Sequence, residues 1–250
     1  MITINGQSAN LDALLRGTNS AGVETETLSR LSRSFTQYDY DSMEELRFEL
    51  VLRREIVAAA NALLRGGLQF ETFRNSYCNP AYWSRTQDGG FVVNRNARAS
   101  DAIADMFKNG RAYGTECATA MQIVYYGALL KVLGRDAFDR EFAGAYLMNW
   151  HRIERALRET GLMRPTSDPL PGDRRYFMNP DVNTETPEWQ GENVIDMGDG
   201  SYYGHGIGRR RDADIIADLN KNRRLGSHTS AYLMPSAGRP NFKRLAQLAN

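Results

Sequence analysis

Cys117 is one of two cysteines in the 250-residue chain, and it stands beside Glu116 in the apolar stretch GTECATAMQIVYYGALLKVLG, residues 114–134. A thiol in the first turn of a helix faces unpaired backbone N–H groups and the positive end of the helix dipole. Both lower the pKa of the thiol and favour the thiolate, which is the setting of a nucleophile. A free cysteine on an apolar helical face is also a common core residue. Both interpretations stay open for Cys117, and Cys78, in an irregular aromatic segment, is the weaker candidate.

A cysteine nucleophile needs a group that accepts and returns a proton, and three residues are candidates. Glu116 is adjacent to Cys117, but successive helical side chains point about 100° apart, so Glu116 is better suited to capping or to tuning the local field. Glu192 opens a predicted strand, and His205 lies on the partner strand after a turn. A two-stranded unit that presents both groups to the cysteine helix would assemble a site. Taken singly, a surface glutamate and a structural histidine are the alternatives.

The composition excludes several classes of function. The chain has 31 basic and 30 acidic residues and a net charge of +1, so it has no global field for nucleic acid or anionic lipid. Arginines at 209–211 and at 152, 155, 158 and 164 accompany no nucleic-acid reading motif, and we interpret them as solvated surface. Three histidines, without CxxC or HExxH, predict no metal site, and we expect no cofactor. Two cysteines do not predict a disulfide framework.

The chain is predicted to form one domain. Its N-terminus lacks the basic head and apolar run of a secretory signal, and no stretch approaches the length of a membrane span. We therefore expect a protein that is made in the cytoplasm and has no membrane partner. Its hydrophobic content of 42% over 250 residues is enough for a substantial core. We predict a single domain over residues 1–250, with the polar residues 1–38 as an arm of short strand-like or irregular pieces packed on the main body.

Three helices begin and end at recognisable signals. Ser42 and Glu45 have the spacing of a capping box, and Gly66-Gly67 is a stop, so a long core helix is predicted between them. Ser100 is predicted to cap a short helix that ends near residue 110.

The cysteine helix is predicted over residues 116–133, with Thr115 as its cap and Gly134 as its end. Apolar residues three or four apart place Cys117 on an inward face of this helix.

The remaining pattern mixes short strands with helices. Strands are predicted at 91–93, 146–150, 193–197, 201–205 and 230–234, and a further helix at 212–223. Residues 164–191 hold five of the eight prolines and are predicted to form a long ordered loop or a pair of loops. Antiparallel strand pairs and helices without a regular βαβ alternation indicate an α+β fold.

Three motifs resemble those of the bacterial spore-coat transglutaminases, the protein-glutamine gamma-glutamyltransferases. They are ECATA at 116–120, WQGENVI at 189–195 and HGIG at 205–208. Supporting stretches lie in order along the chain, at 37–40, 46–50, 56–60, 150–151 and 230–233. The resemblance therefore covers most of the chain.

This resemblance implies a single α+β domain with a papain-like core of the NlpC/P60 type, in which a nucleophile-bearing helix packs on an antiparallel sheet. It implies a calcium-independent enzyme that joins protein glutamine and lysine side chains through isopeptide bonds. Its protein substrates would be spore-coat proteins. The enzyme would be associated with the spore coat and would be a monomer. The catalytic residues carried over are Cys117 as nucleophile, Glu192 as its carboxylate partner, Glu116 as the neighbouring glutamate and His205 as a histidine near the site. The aromatic walls of the family's substrate tunnel carry over to Phe70, Trp150 and Trp189.

The chemistry that the resemblance implies sets one condition on Glu192. To exchange a proton with a thiol, this carboxyl must have a pKa well above its ordinary ~4.3, as burial among aromatic residues would cause.

Two alternatives remain open: a cysteine peptidase or amidase on the same core, with water as acceptor, and a structural coat protein that has lost activity. Retention of Glu116, Cys117, Glu192 and His205 together argues against the second, because a scaffold has no use for the set.

Overall fold

The computed structural model describes residues 1–16, 22–150 and 152–249. Its helices are α1 Leu11–Leu15, α2 Val23–Arg33, α3 Met43–Gly66, α4 Ala99–Lys108, α5 Cys117–Leu133, α6 Arg135–Phe142, α7 Asp212–Lys221 and α8 Phe242–Ala246. Its strands are β1 Ile2–Ile4, β2 Gln7–Ser8, β3 Tyr38–Tyr40, β4 Gln69–Phe70, β5 Trp83–Arg85, β6 Phe91–Val93, β7 Gly114–Thr115, β8 Tyr146–Leu147, β9 Arg164–Pro165, β10 Arg174–Met178, β11 Gly191–Asp196, β12 Ser201–Gly204, β13 Gly208–Arg211, β14 Tyr232–Leu233 and β15 Ser236–Ala237. Within the described residues, no helix is long and apolar enough to cross a membrane.

The long helix α3 follows the sequence signals closely. The Ser42 hydroxyl accepts the Glu45 N–H at 3.2 Å, as a capping box predicts, and the Glu45 carboxylate accepts the Asp41 N–H at 2.9 Å. Gly67 ends the helix with φ +78°, a conformation that glycine adopts without steric cost. This predicted element is therefore confirmed.

Helix α5 is the centre of the core. It packs against α3, α4, α6 and β11, and its residues from Ala118 to Leu129 are buried on every side. The prediction of one inward face was therefore too narrow, because a helix with neighbours all around it has no solvent face to leave polar. Its predicted end at Gly134 is confirmed.

The principal sheet is antiparallel and has the order β13-β12-β11-β10-β14. Alternate residues of β11 point to opposite faces. Ile195 faces the main core that contains α5, whereas Val194 packs with Phe177 and with Ile215 of α7. Helices on both faces of this sheet confirm the predicted α+β class with a cysteine helix against an antiparallel sheet. The likeness to papain-like hydrolases stays a prediction.

The prediction of short or irregular pieces over residues 1–38 was wrong in one respect. Helix α2 occupies 23–33, and it buries Leu28 and Leu31 against Leu46 and Leu50 of α3. The apolar residues of α2 are few among many polar ones, yet their helical spacing is enough to form a buried stripe.

Two further predictions need correction. The proline-rich residues 164–191 contain β10, which pairs with β11 and β14 inside the sheet. The prolines lie outside residues 174–178, so they delimit this strand rather than prevent it. Ser100 lies inside α4, whose cap position is Arg98, and the Ser100 hydroxyl donates to Asp139 at 2.9 Å.

A buried ion cluster ties α3 to the segment that leads into β10. Arg53, only 1% exposed, donates to Glu49 at 2.8 Å and to Asp173 at 2.9 Å, and also to the Pro171 carbonyl at 2.7 Å. Arg239 donates to both oxygens of Asp173 at 2.9 Å. Each carboxylate is therefore paired and hydrogen-bonded, which is the condition for burying charge.

We expect Arg53→Met to lower the free energy of unfolding by about 3–5 kcal/mol, because it leaves the buried Glu49 carboxylate without its cation and takes one of two cations from Asp173. Urea unfolding at neutral pH measures this loss. The matched control is Arg54→Met, since Arg54 is half exposed and pairs with Glu24 and Glu55 at the surface. That change should cost less than about 1 kcal/mol. Equal losses in the two variants would contradict the structural role of the cluster.

Candidate active site

Cys117 is the first residue of α5, and Glu116 is the cap of that helix. The two carboxylate oxygens of Glu116 accept the N–H groups of Ala118 and Thr119, each at 2.6 Å. The predicted cap, Thr115, instead lies in β7, which pairs with β4. The expectation that Glu116 is better suited to capping is confirmed by this geometry. Its carboxylate is buried, and this burial raises the pKa of Glu116 against the opposing effect of the hydrogen bonds.

The sulfur of Cys117 receives two hydrogen bonds from one residue of β11. The Asn193 side-chain amide donates from Nδ2 to Sγ at 3.5 Å, and the Asn193 backbone N–H also bonds the sulfur. Both bonds lower the pKa of the thiol. The sequence analysis quoted Asn193 within a motif but assigned it no role.

The thiol pKa moves in the direction opposite to the prediction. Burial raises the pKa of Cys117, and the nearby charges of Glu192 and Glu116 raise it further. The helix start does not offset these effects, because the first free N–H groups of α5 already bond the Glu116 carboxylate. At neutral pH the resting cysteine therefore carries its proton.

Glu192 lies beside this thiol at the start of β11 and is 7% exposed. Burial and the charge of Glu116 raise the pKa of Glu192 well above its ordinary value, which is the condition that the expected chemistry set. Its Oε1 atom is buried without a hydrogen-bond partner among the described residues. Gly204 leaves the space for it, because a Cβ on Gly204 would lie 2.7 Å from this oxygen.

His205 lies at the turn after β12, not in a hydrogen bond with Cys117 or Glu192 among the described residues. Its Nε2 is 3.0 Å from the Gln69 carbonyl, and the ring also forms a hydrogen bond with the backbone of Thr115. Burial lowers the pKa of His205 to about 4, so the ring is neutral at pH 7. The histidine thus connects this turn to β4 beside the site.

The three aromatic residues occupy different positions. Phe70 is 39% exposed, and its ring lies against His205 with 6.0 Å between the centroids. Trp150 is half-buried and stacks on the Arg174 guanidinium, 4.1 Å from the ring centroid. Trp189 packs with the cluster on the α7 side of the sheet. The roles assigned to these aromatic residues stay predictions.

A turn at Asn149, which the sequence analysis did not predict, fixes the position of the Trp150 backbone. Asn149 has a φ of +46°, and its N–H donates to the Thr119 hydroxyl on α5 at 2.9 Å. Its side-chain oxygen accepts the Trp150 N–H at 2.5 Å. Asparagine tolerates this left-handed conformation better than most residues, so Asn149 turns the chain beside the cysteine helix. His151, quoted with Trp150 in a supporting stretch, lies outside the described residues.

Metal ligands do not converge in the part of the chain that the structure describes: no three His, Cys, Asp or Glu side chains form a candidate cluster. Cys78, the second cysteine, is half-buried in a separate segment, where burial raises its pKa to about 11.

Comparisons with known proteins agree on one family. The sequence profile of the family described as protein-glutamine gamma-glutamyltransferase matches residues 1–249. The protein-glutamine gamma-glutamyltransferase of Bacillus cereus strain G9842 is 41% identical over 232 residues, which are 92% of this chain and 82% of the relative. The Bacillus mycoides strain KBAB4 protein of that name is 42% identical over 230 residues, with the same two coverages. The solved transglutaminase from Geobacillus stearothermophilus, without its C-terminal extension, matches with a TM-score of 0.78 and 43% identity, over 84% of this chain and 99% of that chain.

We expect His205 to make the protein less stable in acid. The pKa of His205 falls from an ordinary 6.5 to about 4 on folding, so below pH 6.5 the unfolded chain binds a proton that the folded chain does not. The free energy of unfolding therefore decreases as the pH drops from 6.5 to 4, by about 2 kcal/mol at pH 4.5 from this residue alone.

Urea unfolding at pH 7.5 and pH 4.5 measures this effect. His205→Asn should lose less stability between the two pH values than the unsubstituted protein. The control is His228→Asn, at an exposed position, which should keep the full acid sensitivity. If His205→Asn retains it as well, the neutral buried state of His205 is refuted.

Proposed function

The chain belongs to the protein-glutamine gamma-glutamyltransferase family and is a transglutaminase, and we propose that it transfers the glutamine acyl group through a thioester on Cys117, with Glu192 as the proton carrier. The observation that carries the proposal is the helix-initial thiol beside two buried carboxylates, Glu116 and Glu192. Glu116 caps α5 with both oxygens and also hydrogen-bonds the Cys117 thiol, whereas Glu192 keeps one buried oxygen without a partner among the described residues. We assign proton transfer to Glu192 because that oxygen is unbonded, and Glu116 to capping.

In the first half of the reaction, Glu192 accepts the thiol proton while the Cys117 sulfur attacks the side-chain amide carbon of a protein glutamine. The tetrahedral intermediate collapses, and the protonated Glu192 returns the proton to the departing ammonia. A thioester between Cys117 and the glutamyl side chain remains. The raised pKa of Glu192 supports this role, because a carboxyl at its ordinary pKa would be too weak a base for a protonated thiol.

In the second half, a neutral lysine amine attacks the thioester carbon and Glu192 accepts the amine proton. The carbon–sulfur bond breaks, an isopeptide bond forms, and the Cys117 thiolate recovers its proton from Glu192. Water competes with the amine for the thioester, and apolar walls limit its access. The exposed Phe70 ring next to the His205 turn is a surface over which an alkyl amine can approach.

The biological setting is a further part of the proposal. We propose that the protein is made in the cytoplasm, acts as a monomer without calcium, and cross-links proteins of the spore coat. The support is the resemblance of the three motifs to spore-coat enzymes, together with relatives from Bacillus. Cross-linking of extracted coat proteins in the presence of EDTA tests the substrate and the calcium independence together, and sedimentation tests the monomer.

We expect Cys117→Ala to abolish incorporation of a fluorescent primary amine into a glutamine-bearing protein, and Glu192→Gln to slow it at least 100-fold, because Gln cannot carry the proton. Cys78→Ala is the matched control and should keep the activity. Deamidation of glutamine without amine incorporation by the unsubstituted protein would support an amidase instead. Incorporation that survives Cys117→Ala would refute the thioester route.

We expect Gly204→Ala to slow amine incorporation about tenfold or more, because the added methyl would displace the Glu192 carboxylate from its position. A Cβ there would also lie 2.7 Å from Ile207. Gly144→Ala is the control, since a Cβ at Gly144 meets no atom within 4 Å. Initial rates at fixed amine concentration compare the two. Full activity of folded Gly204→Ala would show that the reaction does not depend on this placement of Glu192.

A further inference from the structure

The Asn193 amide next to Cys117 has only one orientation that satisfies its neighbours. Arg174 on β10 donates from Nη1 to the Asn193 side-chain oxygen at 2.7 Å. A guanidinium has donors only, so the amide oxygen must face Arg174 and the amide nitrogen must face the sulfur. With the amide turned over, two donors would meet at Arg174 and the thiol would lose its side-chain donor. Asn193 is 7% exposed, so water does not offer a replacement readily.

Arg174 is itself fixed in place. It is 3% exposed, and its guanidinium donates to the carbonyls of Thr160 at 2.8 Å and Gly161 at 3.1 Å. The Trp150 ring covers one face of the guanidinium. Arg174 forms no ion pair with a carboxylate among the described residues, in contrast to the buried Arg53. A buried positive charge without a carboxylate is costly and therefore calls for an explanation.

The charged and titratable groups around the Cys117 sulfur explain why a cation is buried at Arg174. Glu116 on α5 and Glu192 on β11 place negative charge near Cys117, whereas Arg174 is the cation that faces it from β10. Burial, and to a lesser extent the charges of Cys117 and Glu192, raise the pKa of Tyr176 on β10 to about 12, so Tyr176 stays protonated at neutral pH. Burial lowers the pKa of Arg174 to about 10, which still leaves it charged.

We propose that Arg174 orients and polarises the Asn193 amide so that Asn193 stabilises negative charge on the Cys117 sulfur. The sulfur becomes anionic when it loses its proton for attack and again when the thioester is cleaved. Asn193 is then a catalytic residue, since it touches the reacting sulfur, and Arg174 is a positioning residue that acts through it. The Arg174–Asn193 pair offsets the effect of Glu116 and Glu192, whose negative charges raise the pKa of the nucleophilic thiol. This inference rests on the proposed role of Cys117 as nucleophile.

The test measures the reactivity of Cys117 directly. In a Cys78→Ala background, which leaves one thiol, the rate of iodoacetamide alkylation is followed against pH by intact mass. Amine incorporation by the same samples gives kcat/KM for the glutamine substrate. We expect Asn193→Ala to move the alkylation midpoint upward by about 1 pH unit and to lower kcat/KM about tenfold, as the loss of a charge-assisted hydrogen bond predicts.

Three further variants separate the hydrogen bond to the sulfur from packing. Asn193→Asp keeps the shape and an oxygen for Arg174 but replaces the donor to the sulfur by a negative charge, so both changes should raise its midpoint at least as far as that of Asn193→Ala. Arg174→Met should shift the midpoint in the same direction, and Arg174→Lys should shift it less because the charge remains. The matched control is Asn220→Ala on α7: Asn220 also bonds through both amide atoms but lies on the other side of the sheet.

The outcomes are distinct. An upward shift in Asn193→Asp and Arg174→Met, absent from Asn220→Ala, supports the proposal. An unchanged midpoint in folded Asn193→Asp overturns it, because the residue would then serve packing alone. If amine incorporation survives Cys117→Ala, the proposed function fails before this inference is reached. Should Asn193→Ala fail to fold, the Asn193→Asp profile decides the question.

Discussion

The buried start of α5 imposes the constraint on which the rest of the site depends. A helix enclosed by α3, α4, α6 and β11 cannot leave its first N–H groups to water, so a side chain must accept them. Glu116 does this with both oxygens. The cap fixes the position of Cys117, but it also places a carboxylate beside the thiol and occupies the donors that would otherwise stabilise a thiolate. Fold stability and thiol acidity are therefore opposed at this residue.

The register of β10 and β11 places two groups that favour the thiolate, Asn193 and Arg174, on the side of the sheet that meets α5. Asn193 is paired with Tyr176, and Arg174 lies two residues earlier on the same strand and on the same face. This face meets α5. Asn193, which donates to the sulfur, therefore lies on β11, and Arg174, which donates to Asn193, lies on the neighbouring strand β10. Glu192 precedes Asn193 at the start of β11, and Gly204 on β12 leaves room for its carboxylate. A shift of one residue in the pairing of β10 with β11 would move Arg174 away from the face that carries Asn193.

The sequence was sufficient for the two principal helices, which carry local signals such as the Ser42 cap and the Gly134 end. Cys117 and Glu192 each left more than one interpretation open, and their roles come from the resemblance of their motifs to a family. Asn193 acquires its role only through Arg174, which is 19 residues away in a segment whose prolines indicated a loop. The direction of the thiol pKa was also beyond the sequence. It depends on burial and on a carboxylate from another element, which only the tertiary structure brings together.

A buried carboxyl can take the place of a histidine beside a cysteine only if its pKa lies well above the ordinary carboxyl value, because a thiol is a much weaker acid. Burial and the charge of Glu116 raise the pKa of Glu192 in this direction. Burial raises the pKa of Cys117 as well, and the hydrogen bonds from Asn193 oppose that rise. His205 does not take this role, because burial lowers its pKa and its ring hydrogen-bonds the backbone of Gln69 and Thr115 instead of Cys117 or Glu192. In the proposed reaction, the exclusion of water that raises the pKa of Glu192 also favours an amine over water as the acyl acceptor. Burial of Glu192 thus acts on both steps that we propose for this carboxyl: it strengthens the base, and it limits hydrolysis of the thioester.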